Sequence, residues 1–305
     1  MNTPLVSVII PNYNHAQYLE KRIDTVLNQT YQNIEVIILD DKSTDNSLEV
    51  IEKYRNHPKV AQIVVNEQNT GSPFKQWDKG INLAKGELIW IAESDDYNEL
   101  TFLEELITEW GKHKDVVVAF SNYVQFWEDD FLYPKERKSQ CFNGICFIKN
   151  RMARGCVIVN ASGTIFRKNV YSNIRKDFIE YQSAGDYLFW TYLLAHGNVL
   201  KVNKNLTYFR KITGSVTSSK EKQGITALED KKILEYIDAT YHLNHFQRSF
   251  AFAQKLMQFS LFKYDNEEIR KTIYERWDEP YHAWRPSRFF LWLSGSLERH
   301  FGILI

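Results

Sequence analysis

An α/β fold with a mostly parallel sheet and helices on both of its faces is predicted, followed by a helical C-terminal region. Three observations predict it. Short apolar runs alternate with helix-like stretches through the first 120 or so residues. Acidic clusters stand at the ends of two of those runs. From about Glu221 onward apolar residues recur at three- and four-residue spacing.

In chain order, VSVII precedes a helical stretch from Tyr18 to Asn28, and EVIIL precedes one from Asn46 to Arg55. QIVV is followed by Phe74 to Lys85, and ELIWIA by Leu103 to Lys112, before VVVAF closes the series. Near-continuous apolar runs of this length suit strands buried on both faces, which is the condition of a parallel sheet between helix layers. Ser43, Thr44 or Asp45 is placed to cap the second helix. Gly86 falls where a helix ending at Ala84 and Lys85 calls for a residue tolerant of positive φ. The C-terminal helices are read from LEDKKILEYIDATYHL and FAFAQKLMQFSLFKY.

At 305 residues, 44% of them hydrophobic, the chain can bury a large core. Its 38 basic and 38 acidic residues cancel, so no global field draws it to nucleic acid, and nucleic acid is not an expected partner. Cys141, Cys146 and Cys156 lack the paired spacing of a zinc site and read as packed thiols in a reducing cytoplasm. No run approaches the ~18 consecutive apolar residues of a membrane span. A cytoplasmic protein, at most peripheral on the inner membrane face, is expected.

In open α/β sheets ligands lie beyond the carboxyl ends of the strands. EVIILDDKSTD and LIWIAESDD put Asp40, Asp41, Glu93, Asp95 and Asp96 there. Alternation along an extended segment turns Glu93 and Asp95 to one side and Asp96 away, unless the chain has already bent. Carboxylates so close repel one another, and a divalent cation relieves them. Mg²⁺ or Mn²⁺ suits one or two carboxylates completed by phosphate oxygens. The alternative is a solvated acidic turn. The turn PNYNHAQY has no glycine, so the dinucleotide fingerprint is missing, as is the P-loop. Tyr13 offers a face for a base and Asp41 an acceptor for a base N–H, although a packed aromatic is an equal reading of Tyr13 alone.

With those residues in place, the chain resembles glycosyltransferase family 2, whose fold is called GT-A. The resemblance is carried by VSVIIPNYNHAQYL (6–19), VLNQTYQNIEVIILDDKSTDNS (26–47), KGELIWIAESDD (85–96) and GDYLFW (185–190). It implies a GT-A domain over 1–219, with a nucleotide-binding half at 1–121 and an acceptor-facing, catalytic-base half at 122–219, and a helical region at 220–305. Pro11 and Tyr13 would line the base pocket, Asp41 would contact the base, usually uracil, and Asp40 would support the turn. Glu93 and Asp95 take the acidic positions of the D-x-D motif, Asp95 as metal ligand and Glu93 on ribose or the metal shell. Asp96 is a supporting acid. Asp186 would be the general base of an inverting transfer from a nucleotide-diphosphate sugar, using Mn²⁺ or Mg²⁺, to a glycan or lipid-linked acceptor in cell-surface polysaccharide synthesis.

Three departures from the family pattern stand out. Glutamate replaces the first aspartate at Glu93. FKQWDKGI places Trp77 and Asp78 where relatives carry arginine and asparagine, leaving Lys75 or Lys79 as phosphate partners. YFRKITGSVT has Ile212 in place of a histidine that can join the metal, with Arg210 and Lys211 beside it. Phe126, Trp127 and Tyr133 fall in an irregular stretch between Asn122 and Gly163, as core or as sugar-stacking rings. The last residues, YHAWRPSRFFLWLSGSLERHFGILI, have a composition suited to the membrane interface or to packing on the protein itself. Two other readings are a sugar-1-phosphate nucleotidyltransferase and a non-catalytic nucleotide-sugar binder.

Overall fold

The computed structural model describes residues 3–128, 130–211, 216–260 and 262–278. Its strands are β1 (Val6–Asn12), β2 (Ile34–Asp40), β3 (Val60–Val65), β4 (Leu88–Ile91), β5 (Tyr97–Asn98), β6 (Val116–Trp127), β7 (Asp130–Leu132), β8 (Gln140–Asn143), β9 (Thr164–Arg167) and β10 (Asn198–Arg210). The helices are α1 (Ala16–Leu27), α2 (Ser47–Glu52), α3 (Pro73–Leu83), α4 (Phe102–Trp110), α5 (Gly144–Asn150), α6 (Lys168–Tyr171), α7 (Gly185–Leu194), α8 (Val216–Lys222), α9 (Ile225–Tyr241), α10 (His245–Ser260) and α11 (Glu267–Asp278).

Two compact units divide the chain. One comprises Met1–Gly144, Ile158–Glu180 and Tyr192–Ile212, and the other Ile145–Val157, Tyr181–Thr191 and Thr213–Ile305. The second therefore takes two short stretches from before residue 219 in addition to the later helices.

The first unit holds a sheet in the order β3-β2-β1-β4-β9-β6-β10-β5, with β7 paired to β6 and β8 to β10. From β3 to β4 every pairing is parallel, whereas β9 runs antiparallel to both β4 and β6, and β6 and β10 are parallel again. The parallel order predicted from the apolar runs thus covers the first half of the sheet, and the second half is mixed. All seven residues of β1 are buried, as a strand covered on both faces must be. Val6, Val8 and Ile10 pack in one core with Leu19, Ile23 and Val26 of α1 and Phe102, Leu103 and Leu106 of α4. Ile9 points the other way, toward α3. A Cβ on Gly80 of that helix would come within 2.4 Å of Ile9 Cγ2, so glycine permits the approach.

The role expected of Gly86 is corrected here. Its φ is not positive; its Cβ position is filled by the neighbouring strand, with Leu5 O at 2.6 Å and Ser7 N at 2.7 Å, and its N–H donates to Ser7 Oγ at 2.7 Å. The stretch after Asn122 is also more regular than its pattern suggests. β6 runs on to Trp127, and β7 and β8 add edge strands whose residues are mostly exposed, so no alternation marks them.

In the second unit Ile233, Leu234 and Ile237 of α9, Ala251 and Phe252 of α10, and Ile273 and Trp277 of α11 are buried. Trp277 lies 5.4 Å from the Phe252 ring, and its indole N–H donates to Ala227 O at 3.2 Å. No described helix is long and apolar enough to cross a membrane. The terminal aromatic segment and Ile212 lie outside the described residues.

Candidate active site

Two loops at the carboxyl ends of β1 and β2 interlock. Asp40, fully buried, accepts the Ser43 N–H at 2.8 Å through Oδ1, and the Ser43 hydroxyl (2.6 Å) and Asn12 Nδ2 (2.9 Å) through Oδ2. Asn14 and Lys42 take left-handed φ values of 56° and 63°. Asn14 Oδ1 accepts the Thr44 N–H at 2.7 Å, and Asp45 accepts N–H groups from Ala16 and Ser47, serving the starts of both α1 and α2. Of the three candidate caps, Asp45 is thus the one that bonds at the first turn of α2.

Pro11 is buried in β1, and Tyr13, just beyond it, is 45% exposed. Asp41 is buried and already engaged. Asn66 Nδ2 (2.6 Å), Gln76 Nε2 (3.0 Å) and the Thr70 N–H (3.0 Å) donate to Oδ1, and the Thr70 hydroxyl to Oδ2 at 2.8 Å. Its carboxylate organises the loop between β3 and α3, and a base would share it with these donors.

The acids after β4 separate into two kinds. Asp96 is buried and turned inward, its Oδ2 accepting Asn160 Nδ2 (3.0 Å) and the Ser162 hydroxyl (2.8 Å), its Oδ1 the Arg210 N–H (3.0 Å). Glu93 and Asp95 keep partial exposure. Glu93 Oε1 accepts the Trp77 indole N–H at 2.8 Å. Among the described residues, no other residue donates to the Asp95 carboxylate; Arg210 Nε instead bonds the Asp95 carbonyl at 3.0 Å. His15 Nδ1 lies 2.8 Å from Ser94 Oγ, joining the loop after β1 to the acids.

Burial and mutual repulsion push these acids up. Glu93 rises to about 8, through burial and then the Asp95 charge, and Asp96 to about 7 for the same two reasons. Asp95 is raised chiefly by burial. Arg22 is the internal counter-charge, fully buried, with Nε donating to Glu93 O at 2.8 Å and Nη1 to Asn98 Oδ1 at 2.7 Å. Burial lowers its own proton affinity to about 10, so it stays charged near neutrality. The sequence signal for Arg22 was available: it sits on the stripe Leu19, Ile23, Val26 that α1 buries. Asn160 and Ser162 carry no such signal, because the fold alone brings GCVIVNASGTIF to Asp96.

A divalent ion fits this donor set in one way. No cluster of three or more His, Cys, Asp or Glu side chains suited to a metal occurs among the described residues. An all-protein cage is therefore not what the described residues offer. Two partly accessible carboxylates with raised proton affinity match a Mg²⁺ or Mn²⁺ site completed by phosphate oxygens and water. Of the other candidates for phosphate contact, Lys79 Nζ bonds Asn66 Oδ1 at 2.5 Å, Lys75 is exposed, and Arg210 packs 4.2 Å from the Tyr18 ring. Asp78 accepts the Tyr171 hydroxyl.

Asp186 belongs to the second unit, in the first turn of α7, where its Oδ1 accepts the Tyr187 N–H at 2.7 Å. Burial raises its pKa to about 7, the Tyr187 N–H opposes that, and the Asp230 and Glu229 charges add to it. A carboxylate poised near neutrality is suited to taking up a proton.

The family model described as Glycosyl transferase family 2 matches residues 7–175. The chain belongs to that family. It is 29% identical over 221 residues to glycosyltransferase GlyG of Streptococcus pneumoniae serotype 4, covering 70% of this chain and 72% of that protein. To the E. coli UDP-Glc:alpha-D-GlcNAc-diphosphoundecaprenol beta-1,3-glucosyltransferase WfaP it is 29% identical over 225 residues, 72% of this chain and 82% of that one. Among solved structures, S. aureus TarS 1–349 in complex with UDP-GlcNAc superposes with a TM-score of 0.64 at 21% identity, over 85% of this chain and 73% of that one. This family-2 glycosyltransferase therefore has the GT-A fold, and its chain continues into C-terminal helices.

Proposed function

We propose that this glycosyltransferase moves a sugar from a nucleotide-diphosphate donor, a UDP-sugar, to a hydroxyl of a glycan or lipid-linked acceptor with inversion, in cell-surface polysaccharide synthesis. The acid cluster after β4 carries the reading. Asp96 is consumed by the chain's own donors, while Asp95 and one oxygen of Glu93 take no donor from another described residue. UDP-GlcNAc on TarS supports the donor class, and the undecaprenol-linked acceptor named for WfaP supports the acceptor class.

Tyr13 stacks on the base, and Asp41 holds the loop between β3 and α3 in order beneath it. Asp95, with Glu93 beside it, would hold Mn²⁺ or Mg²⁺. When bound, such an ion neutralises charge on the diphosphate and so eases departure of the nucleotide. Asp186 takes the acceptor hydroxyl proton as that oxygen bonds to the anomeric carbon. The bond from that carbon to the phosphate oxygen breaks with its electron pair leaving on the nucleoside diphosphate, and attack from the opposite face inverts the centre.

The test is release of nucleoside diphosphate from a panel of UDP-, GDP- and dTDP-sugars with Mn²⁺ or Mg²⁺, run beside calorimetric binding. Release that needs the ion and disappears in Asp95→Asn is the expected result. Release indifferent to EDTA and to Asp95→Asn would overturn the metal assignment. Binding without release, with or without added undecaprenyl-linked sugars, would favour a non-catalytic binder.

A further inference from the structure

Helix α9 sends a buried carboxylate, that of Glu229, to the chain segment that leads into α7. Oε1 accepts the Gln182 N–H at 2.8 Å, and Oε2 accepts the N–H groups of Ser183 at 3.0 Å and Ala184 at 2.8 Å. Three successive backbone N–H groups aimed at one anion form a nest, and the anion also meets the positive end of the helix that follows. Two side-chain contacts reinforce the grip: Ser183 Oγ lies 2.7 Å from Thr226 Oγ1, and Lys220 Nζ donates to Gln182 Oε1 at 2.9 Å. All three donors lie just ahead of the first turn of α7, so Glu229 holds the chain at its entry into that helix.

The neighbouring charges are otherwise balanced. Asp230 is paired with Lys255 of α10, both buried, and Lys255 Nζ stands 5.8 Å from the Tyr187 ring centre. No lysine or arginine among the described residues pairs with Glu229. A buried carboxylate is costly unless hydrogen-bonded, and among the described residues its compensation is the backbone of residues 182–184. Gly185 and Asp186 are the next two residues.

We propose that Glu229 is a positioning residue for Asp186, fixing where α7 begins and hence where the Asp186 carboxyl points, so that the helices after residue 220 form part of the reaction machinery. This rests on the reading of Asp186 as general base. Glu229 also faces Asp186 as a like charge, together with Asp230, whose charge Lys255 offsets. Replacing Glu229 with glutamine keeps its shape, removes the charge and puts an amide NH₂ against a backbone N–H.

The test measures kcat, KM and the pH profile of nucleoside diphosphate release from UDP-GlcNAc, UDP-glucose or GDP-mannose, whichever the panel turns over, in Glu229→Gln, with Asp186→Asn as reference. Misplacing a reacting group by about 1 Å can cost ~100-fold, so kcat in Glu229→Gln is expected to fall ~10- to 100-fold. Donor affinity by calorimetry stays within about twofold, and the acid limb moves to lower pH because Asp186 ionises more easily. A merely structural role would lower the folded fraction and leave that limb in place. Thr226→Val, which releases Ser183 without touching Glu229, is the second variant and carries the test if Glu229→Gln does not fold; a kcat lowered about 3- to 10-fold is expected. If Asp186→Asn is inactive while the folded variants keep wild-type kcat and acid limb, this proposal fails alone. If Asp186→Asn is fully active, the general-base reading fails and takes this one with it.

Discussion

Arg22→Met tests the electrostatics of the acid cluster without assuming any substrate. Methionine keeps most of the aliphatic volume on the buried stripe of α1 but removes the guanidinium. Two acceptors then lose their donor, the part-buried Glu93 O (2.8 Å) and the buried Asn98 Oδ1 (2.7 Å). An orphaned buried acceptor costs about 1–3 kcal/mol, partly recovered wherever water reaches it. The charge effect depends on pH. Glu93 and Asp96 have folded pKa values of about 8 and about 7, above their ordinary ones, so the stability they contribute is present in acid and is lost as pH rises through 7 and 8. Arg22 lowers both, and without it the loss on raising pH becomes steeper.

At pH 5 both carboxyls are neutral in the fold, and the variant is expected to lose only the hydrogen-bond contribution, about 1–3 kcal/mol. At pH 8 the acids face ionisation with no buried cation beside them, and about 3–5 kcal/mol is expected, the range for breaking a buried ion pair. The assay is guanidinium denaturation followed by circular dichroism at pH 5 to 8 in EDTA, comparing midpoints at constant slope. Equal losses at the two ends, or a larger loss in acid, would refute the counter-charge role of Arg22.

Three further outcomes are expected. Asp186→Asn should lower nucleoside diphosphate release ~10²–10⁴-fold, the usual contribution of a general base, with calorimetric donor affinity unchanged. On the proposed reading Asp186 acts ionised, and with its pKa raised to about 7 wild-type kcat should fall about tenfold per pH unit on the acid side of 7, as a pH–rate profile will show. Tyr13→Ala should weaken donor binding by about 1–3 kcal/mol in calorimetry, the range for removing an aromatic stacked on a base. Gly86→Ala should destabilise the fold by at least about 1–3 kcal/mol in thermal denaturation, since the added Cβ meets backbone atoms, Leu5 O at 2.6 Å and Ser7 N at 2.7 Å, that cannot swing aside.

The first half of the fold was legible because its physics is local. Apolar runs such as EVIIL are buried on both sides, helices separate them, and β1 to β4 pair in parallel as such runs should. The second half was not, because β9 contributes only four residues and β7 and β8 are edge strands without a buried face to impose alternation. Gly86 shows a second kind of limit. Punctuation at a helix end suggested a backbone dihedral, whereas the requirement comes from a strand about 80 residues earlier in the chain. Glu229 is the extreme case, since nothing in LEDKKILEYIDATYHL distinguishes a glutamate on a solvated helix face from one that holds residues 182–184.

The departures at Glu93 and Trp77, read separately in the sequence, meet in one contact. Trp77 is 4% exposed on α3, and its indole N–H reaches Glu93 Oε1 at 2.8 Å. Aspartate at position 93 would be one methylene shorter and would draw the carboxylate back from that N–H. Conversely, an arginine at position 77 would bring a second cation to acids that already have Arg22 beneath them. The two residues therefore form a matched pair: the longer acid keeps one oxygen on the indole, and its other oxygen takes no donor from another described residue. On this argument Glu93→Asp alone should weaken donor binding in calorimetry more than the loss of one methylene would suggest, and an undiminished affinity would show that the contact with Trp77 does nothing for the site.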